Sequence, residues 1–185
     1  MTVDTNDPAF VKWFGSSAVA VAGIPLPVFH GTRKSRNVRV LNPYTHFGTR
    51  EAALQRCADK GIPEDDRELV QVYLRISQPI DVSDDGADNN AILLLNLPMS
   101  QGLVTESERS TVSSAYASRS EEWATLLPDK FLAAKWRVGM EEVVRVLGPK
   151  GYDGLRYKNT QEGGISYVPF TTEQIWWLDR QLPER

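Results

Sequence analysis

With 185 residues and 41% hydrophobic composition, the chain has the length of one domain and can bury a core without disulfides or metal. A formal net charge of −3, with no run of five like charges, argues against nucleic-acid binding by general phosphate attraction. The lone Cys57 and the two histidines, His30 and His46, exclude an internal disulfide and a cysteine-rich zinc centre, so no metal is expected.

The first residues show no basic stretch followed by an apolar run, and the apolar run over 91–99 is short and interrupted by Asn96 and Pro98. A cytoplasmic protein without a membrane partner is the expectation. Asp7 followed by Pro8 predicts a helix over 8–14, because the carboxylate caps free N–H groups and proline loses nothing at the first helical position. Phe10, Trp13 and Phe14 share one face of it. Two strand-like pieces, 18–23 and 25–31, meet around Gly23, with Pro25 and Pro27 marking a sheet edge or the approach to the strand proper.

Residues 35–43 read as a loop with one extended stretch, 37–41. Thr49 caps a predicted helix over 50–60 that Gly61 ends. From 68 to 76 the pattern alternates: Val70, Val72, Leu74 and Ile76 face one way, Gln71, Tyr73 and Arg75 the other, which predicts a half-buried strand. Residues 83–90 form a turn-rich break. The stretch 91–147 is mainly helical, with a capping box at Thr105 and Glu108 and a long helix opened by Pro128 and closed by Gly148. Strands return at 154–159, 165–170 and 174–179, and Trp176 and Trp177 fall on opposite faces, one toward the core and the other toward a partner. There is no internal repeat. Strands, a helical middle and strands again imply an α+β fold with a mainly antiparallel sheet.

Three stretches carry chemistry: 28–33, with His30-Gly31-Thr32 at a strand end; 42–53, with Tyr44, His46 and Phe47 ahead of a helix; and 151–175, with Glu162 in a glycine-containing turn. Each alone has an ordinary structural reading: a hydrogen-bonded histidine, aromatics closing a core, a solvated acid. In combination, FVKWFGSSAVAVAGIPLPVFHGT near the start and GYDGLRYKNTQEGGISYVPFTTEQI near the end resemble the ADP-ribosyltransferase superfamily. The likeness is to the transferase domains of phage and mobile-element polyvalent proteins.

That resemblance implies a single domain over 1–185 with a split antiparallel β-sheet core and a helical insertion at 88–147, where substrate selection would lie. It implies NAD⁺ as substrate: His30 bonding the adenosine-side ribose, the Gly31 backbone pairing with the carboxamide because a side chain there would block the approach, and Thr32 adding a hydroxyl. The family's stacking tyrosine aligns with His46, with Tyr44 and Phe47 as neighbours able to take over. Its glutamate aligns with Ser166, so the carboxylate role falls to Glu162, with Gln161 and Glu173 behind it; His30 and Glu162 are the catalytic candidates. Cleaving the nicotinamide–ribose bond builds oxocarbenium-like charge, and nicotinamide leaves as a neutral ring, so a positioned negative group is needed rather than an acid.

Arg33 and Lys34 either reach the NAD⁺ pyrophosphate or are solvated, and Asp153-Gly154 reads as a turn. The resemblance implies mono-ADP-ribosylation of a macromolecular acceptor, protein or nucleic acid, in a toxin, effector or anti-defence setting with an antitoxin or immunity partner. An NAD⁺ glycohydrolase or a silent NAD⁺-binding module are the alternatives. An RNA 2′-phosphotransferase would need several basic residues around the site, and the sequence suggests too few.

Overall fold

The computed structural model describes residues 3–36, 41–84 and 90–177. The first helix, α1 (Pro8–Phe14), starts where expected: the Asp7 carboxylate accepts from the N–H groups of Ala9 and Phe10. A two-residue hairpin, β1 (Ala20–Val21) and β2 (Ile24–Pro25), turns at Gly23, whose φ of 79° suits glycine. Then come β3 (Val28–Arg33), α2 (Arg50–Asp59) capped by Thr49, and β4 (Arg67–Leu74). A short β5 (Pro79–Asp81) follows, which the sequence did not announce. Three residues beginning with proline are too few to show an alternation. Of the extended stretch expected at 37–41, residues 37–40 lie outside the described residues.

The helical middle comprises a 3₁₀ turn at Ala91–Leu95, α3 (Asn96–Ser100), α4 (Glu106–Ser118), α5 (Glu121–Ala124) and α6 (Pro128–Leu147). The capping box at Thr105 and Glu108 forms as expected. Gly148 does not end α6 by a left-handed turn. It stays right-handed, the chain tightens into a 3₁₀ turn, and Gly151, at φ 90°, makes the reversal. The closing strands are β6 (Gly154–Lys158), β7 (Ile165–Pro169) and β8 (Ile175–Trp177).

The architecture is α+β. One three-stranded sheet runs β3-β4-β8, all antiparallel; the other runs β5-β6-β7, with β6 and β7 antiparallel but β5 and β6 parallel. With β5–β6 the one parallel pair among the described strands, the pairing is mainly antiparallel, as expected. Two residues, Phe47 and Gly48, sew the sheets together. Gly48 exchanges backbone hydrogen bonds with Phe29 of β3 at 2.9 and 3.0 Å, and Phe47 with Tyr167 of β7 at 2.9 and 2.7 Å. Strands from opposite ends of the chain thereby become neighbours.

Three apolar clusters hold this arrangement. Val28, Phe47, Val72, Leu74 and Tyr167 pack behind the seam. On the other face of β4, Phe10 and Phe14 of α1 cover Tyr73, only 8% exposed, so the strand is buried on both faces at this end rather than half-buried. Trp176 packs with the α1 aromatics and Trp177 against the seam cluster, so both indoles are occupied within the fold. The third cluster joins Ile80, Leu155 and Val168 of the β5-β6-β7 sheet to Leu94, Leu95, Val138, Met140, Val143 and Leu147. The helical segment is therefore the layer that covers this sheet. Arg119 at the end of α4 binds Glu122, Glu141 and Glu142, the last buried on α6 and also paired with Arg145, which ties α4 and α5 to α6. Among the described residues no helix is long and apolar enough to cross a membrane.

The α4 cap should titrate in acid. The Thr105 backbone N–H and the Lys150 ammonium hold the Glu108 carboxyl at about 2, below its ordinary 4.5. A depressed folded pKa stabilises the fold above the unfolded value, and that contribution is lost as pH falls from about 4.5 toward 2. Urea unfolding of Glu108→Gln across this window should show a shallower loss of stability than the wild type; parallel curves would contradict the assignment.

Candidate functional site

A cleft of about 550 Å³ opens between β3, the Phe47–Gly48 seam, α2 and the turn joining β6 to β7, within the size range of small-molecule sites. His30, in register with Val70 on β4, lines it. Its Nδ1 lies 3.1 Å from the His46 carbonyl. A carbonyl only accepts, so Nδ1 carries the proton and Nε2 keeps its lone pair. Burial pushes the His30 pKa below 6.5 against the opposing pull of that hydrogen bond, and the Arg36 charge pushes the same way. His30 is thus a neutral imidazole with an acceptor nitrogen at pH 7.

Gly31 also lines the cleft, but the structure gives a different reason for glycine. A Cβ there would sit 2.4 Å from the Ala53 carbonyl oxygen and 2.6 Å from the Cys57 Sγ. What demands glycine is the close packing of α2 on β3. Thr32 lines the cleft too and is buried.

Of the three aromatic candidates, His46 and Phe47 line the cleft and Tyr44 does not. Tyr44 sits with φ 65°, packs against the helical cluster and accepts a hydrogen bond on its carbonyl from the Trp136 indole at 3.0 Å. Phe47 is 1% exposed and meets His30 edge-on at 6.0 Å, which makes it a core residue touching the site. The His46 ring lies 4.7 Å from that of Trp136, and its Nδ1 is 2.8 Å from the Tyr157 hydroxyl. Tyr157 lines the cleft as well; the alternation of β6 gave no means of choosing it from the sequence.

The Glu162 side chain is 11% exposed, unlike a solvated hairpin acid. Asn159, itself buried, organises the turn. Its Oδ1 accepts from the N–H groups of Gln161 and Glu162 at 3.2 and 2.8 Å, and its Nδ2 donates to Glu162 Oε2 and, at 3.3 Å, to Ser166 Oγ. Arg56 of α2 approaches Glu162 Oε1 at 3.5 Å. Gly164 follows at φ 81° with no room for a Cβ against Thr49, so the turn rests on the start of α2. Ser166 lines the cleft beside Glu162, and Gln161 also borders it. Glu173 lies elsewhere: it is exposed, and its carbonyl accepts from the Trp13 indole at 3.1 Å. The Asp153 carboxylate caps the N–H groups of Ser77 and Gln78 at 2.8 Å each, the structural role expected of a turn.

The cleft is more basic than the sequence suggested. Among the described residues Arg33, Arg36, Arg56 and Lys60 line it, with the carboxylates of Asp84 and Glu162. Lys34 instead donates to the Asp65 carbonyl at 2.8 Å and is not part of the lining. Arg36, Arg56 and Lys60 carried no motif of their own, and Asn159, inside the closing stretch 151–175, was assigned no role; their places on the turn after β3, on α2 and in the β6–β7 turn bring them here.

Compared with protein-family models, with curated proteins and with solved structures, the chain matches none.

If α2 packing is what fixes Gly31, then Gly31→Ala should cost about 1–3 kcal/mol of overpacking, read as a lower thermal midpoint in the absence of any ligand. An unchanged midpoint would return the glycine to a purely ligand-related role.

Proposed function

We propose that the chain is a mono-ADP-ribosyltransferase that moves ADP-ribose from NAD⁺ to a macromolecular acceptor, with an ADP-ribosyltransferase-like split sheet as its core. One observation carries the reading: a neutral histidine with an acceptor nitrogen and a restrained carboxylate, from opposite ends of the sequence, border one cleft of the size of a small-molecule site. The motif resemblance supplies the chemistry.

His30 Nε2 accepts from a hydroxyl of the adenosine-side ribose, which a protonated imidazole would fail to do. The Gly31 and Thr32 segment and the His46 and Tyr157 rings border the space for the nicotinamide half. As the glycosidic C–N bond breaks, its electron pair leaves with nicotinamide and positive charge builds on the ribose. The Glu162 carboxylate, held by Asn159 and Arg56, offsets that charge and takes the proton of the acceptor nucleophile as it attacks the anomeric carbon. A base locked in place needs no reorganisation at the moment of reaction. A toxin, effector or anti-defence role in a cytoplasm, with an antitoxin or immunity partner, follows from the resemblance.

Ser166 favours a second reading. It occupies the place of the family glutamate, is 3% exposed and is tied to Asn159, which fits a silent NAD⁺-binding module. The two separate on incubation with NAD⁺ and a cell extract, followed by nicotinamide release and by ADP-ribose mass shifts on macromolecules. The transferase should release nicotinamide and label an acceptor. Glu162→Gln should reduce the rate about 10²–10⁴-fold with NAD⁺ binding retained, and His30→Ala should weaken binding itself. Unchanged turnover in Glu162→Gln would remove the carboxylate from the mechanism; NAD⁺ binding without nicotinamide release in the wild type would favour the silent module.

A further inference from the structure

Among the described residues Ala22 and Tyr44 are the non-glycine residues with positive φ, and Ala22 lies in an exposed hairpin turn. At φ 65° the Tyr44 Cβ crowds the carbonyl that follows it, a conformation that persists only where the surroundings enforce it. Two different layers do so here. The Tyr44 N–H donates to the Pro169 carbonyl at the end of β7 at 3.2 Å, and the Tyr44 carbonyl accepts from the Trp136 indole of α6 at 3.0 Å. Strained backbone of this kind gathers at functional sites, and two residues further on the chain reaches the cleft. The His46 ring lies 4.7 Å from the Trp136 ring, with 37° between their planes. The His46 carbonyl accepts from His30 Nδ1 at 3.1 Å. One indole therefore holds the left-handed bend with its N–H and the His46 ring with its face.

We propose that Trp136 is a positioning residue: through Tyr44 and His46 it sets the orientation and tautomer of His30, so that the helical layer takes part in building the site. The bend at Tyr44 sets the direction in which the next two residues leave, and with it the aim of the His46 carbonyl. The seam bonds at Phe47 fix the chain after His46 and leave the side before it to Tyr44. A carbonyl aimed at Nδ1 keeps the proton there and leaves Nε2 as the acceptor. The helix that presents the indole is itself braced, because Arg119 of the α4 end binds both Glu141 and Glu142 on α6. These contacts stand whatever the cleft binds; their use in holding NAD⁺ rests on the transferase reading.

Trp136→Phe removes the indole donor and keeps an aromatic ring. Leu147→Val is the control: it loosens the buried core of the same helix, roughly 16 Å further along its axis. Circular dichroism checks that each variant is folded. Nitrogen-15 NMR of the imidazoles reads which ring nitrogen carries the proton, and the signals lost in His30→Ala tell His30 from His46. Wild-type His30 should carry its proton on Nδ1 alone. Trp136→Phe should shift the tautomer ratio about three- to tenfold, the worth of one hydrogen bond, and weaken calorimetric NAD⁺ binding by a similar factor. Leu147→Val should leave both as they are. If Trp136→Phe does not fold, the reverse reading serves: His30→Ala should displace the assigned indole N–H resonance of Trp136. An unmoved His30 in folded Trp136→Phe, an equal change in Leu147→Val, an NAD⁺ affinity indifferent to a moved His30, or an unmoved indole in the reverse reading overturns the proposal. A His30 that responds to Trp136 in a chain that binds no NAD⁺ would defeat the transferase reading alone.

Discussion

Four backbone hydrogen bonds, two exchanged between Gly48 and Phe29 and two between Phe47 and Tyr167, connect the β3-β4-β8 sheet to the β5-β6-β7 sheet. The seam sets the His-Gly strand of one sheet beside the Glu162 turn of the other, so that both border one cleft. The seam also fixes the chemistry of its neighbours. The His46 carbonyl, one residue before it, orients His30, and the almost fully buried Phe47 ring anchors the connection in the core. Gly48 leaves only 2.9 Å between the place of a Cβ and Ser166 Oγ, so the junction tolerates little side-chain volume.

The second organising element is α2. Its first turn supports the Glu162 loop through Thr49, its middle supplies Arg56, its end supplies Lys60, and its body lies so close to β3 that residue 31 must be glycine. A helix held this tightly against the strand fixes the backbone positions from which Arg56 and Lys60 reach the cleft. Pre-set charge is what a site needs to act on a developing ion without first rearranging. The cost is a restrained acid: Glu162 is held from both sides by Asn159 and Arg56, and any reaction that uses it works within that clamp.

Much of the fold could be read from the residues, because local signals dominate where they were strong. The Asp7 and Thr105 caps, the helices around them, the turn at Gly23 and the closing strands follow from spacing alone. What escaped depends on contacts distant in sequence. β5 exists because β6 pairs with it, not because Pro79–Asp81 alternates. Tyr73 is buried because α1 folds over β4. Within the site, His30, Gly31, Thr32, His46, Phe47 and Glu162 border one cleft, whereas Tyr44 turns into the helical cluster and Glu173 lies elsewhere on the surface. Arg36, Arg56 and Lys60, and the role of Asn159 within the closing stretch, were illegible for the same reason as β5: they arise from where α2 and two turns dock.

A crystal structure of the chain with a non-hydrolysable NAD⁺ analogue, its glycosidic nitrogen-bearing ribose replaced by a carbocycle, tests the central claim most directly. The expected result is ligand density along the cleft, with an adenosine-side hydroxyl on His30 Nε2 and the carbocycle beside the Glu162 carboxylate. Ligand bound elsewhere, or an empty cleft at millimolar analogue, would contradict it.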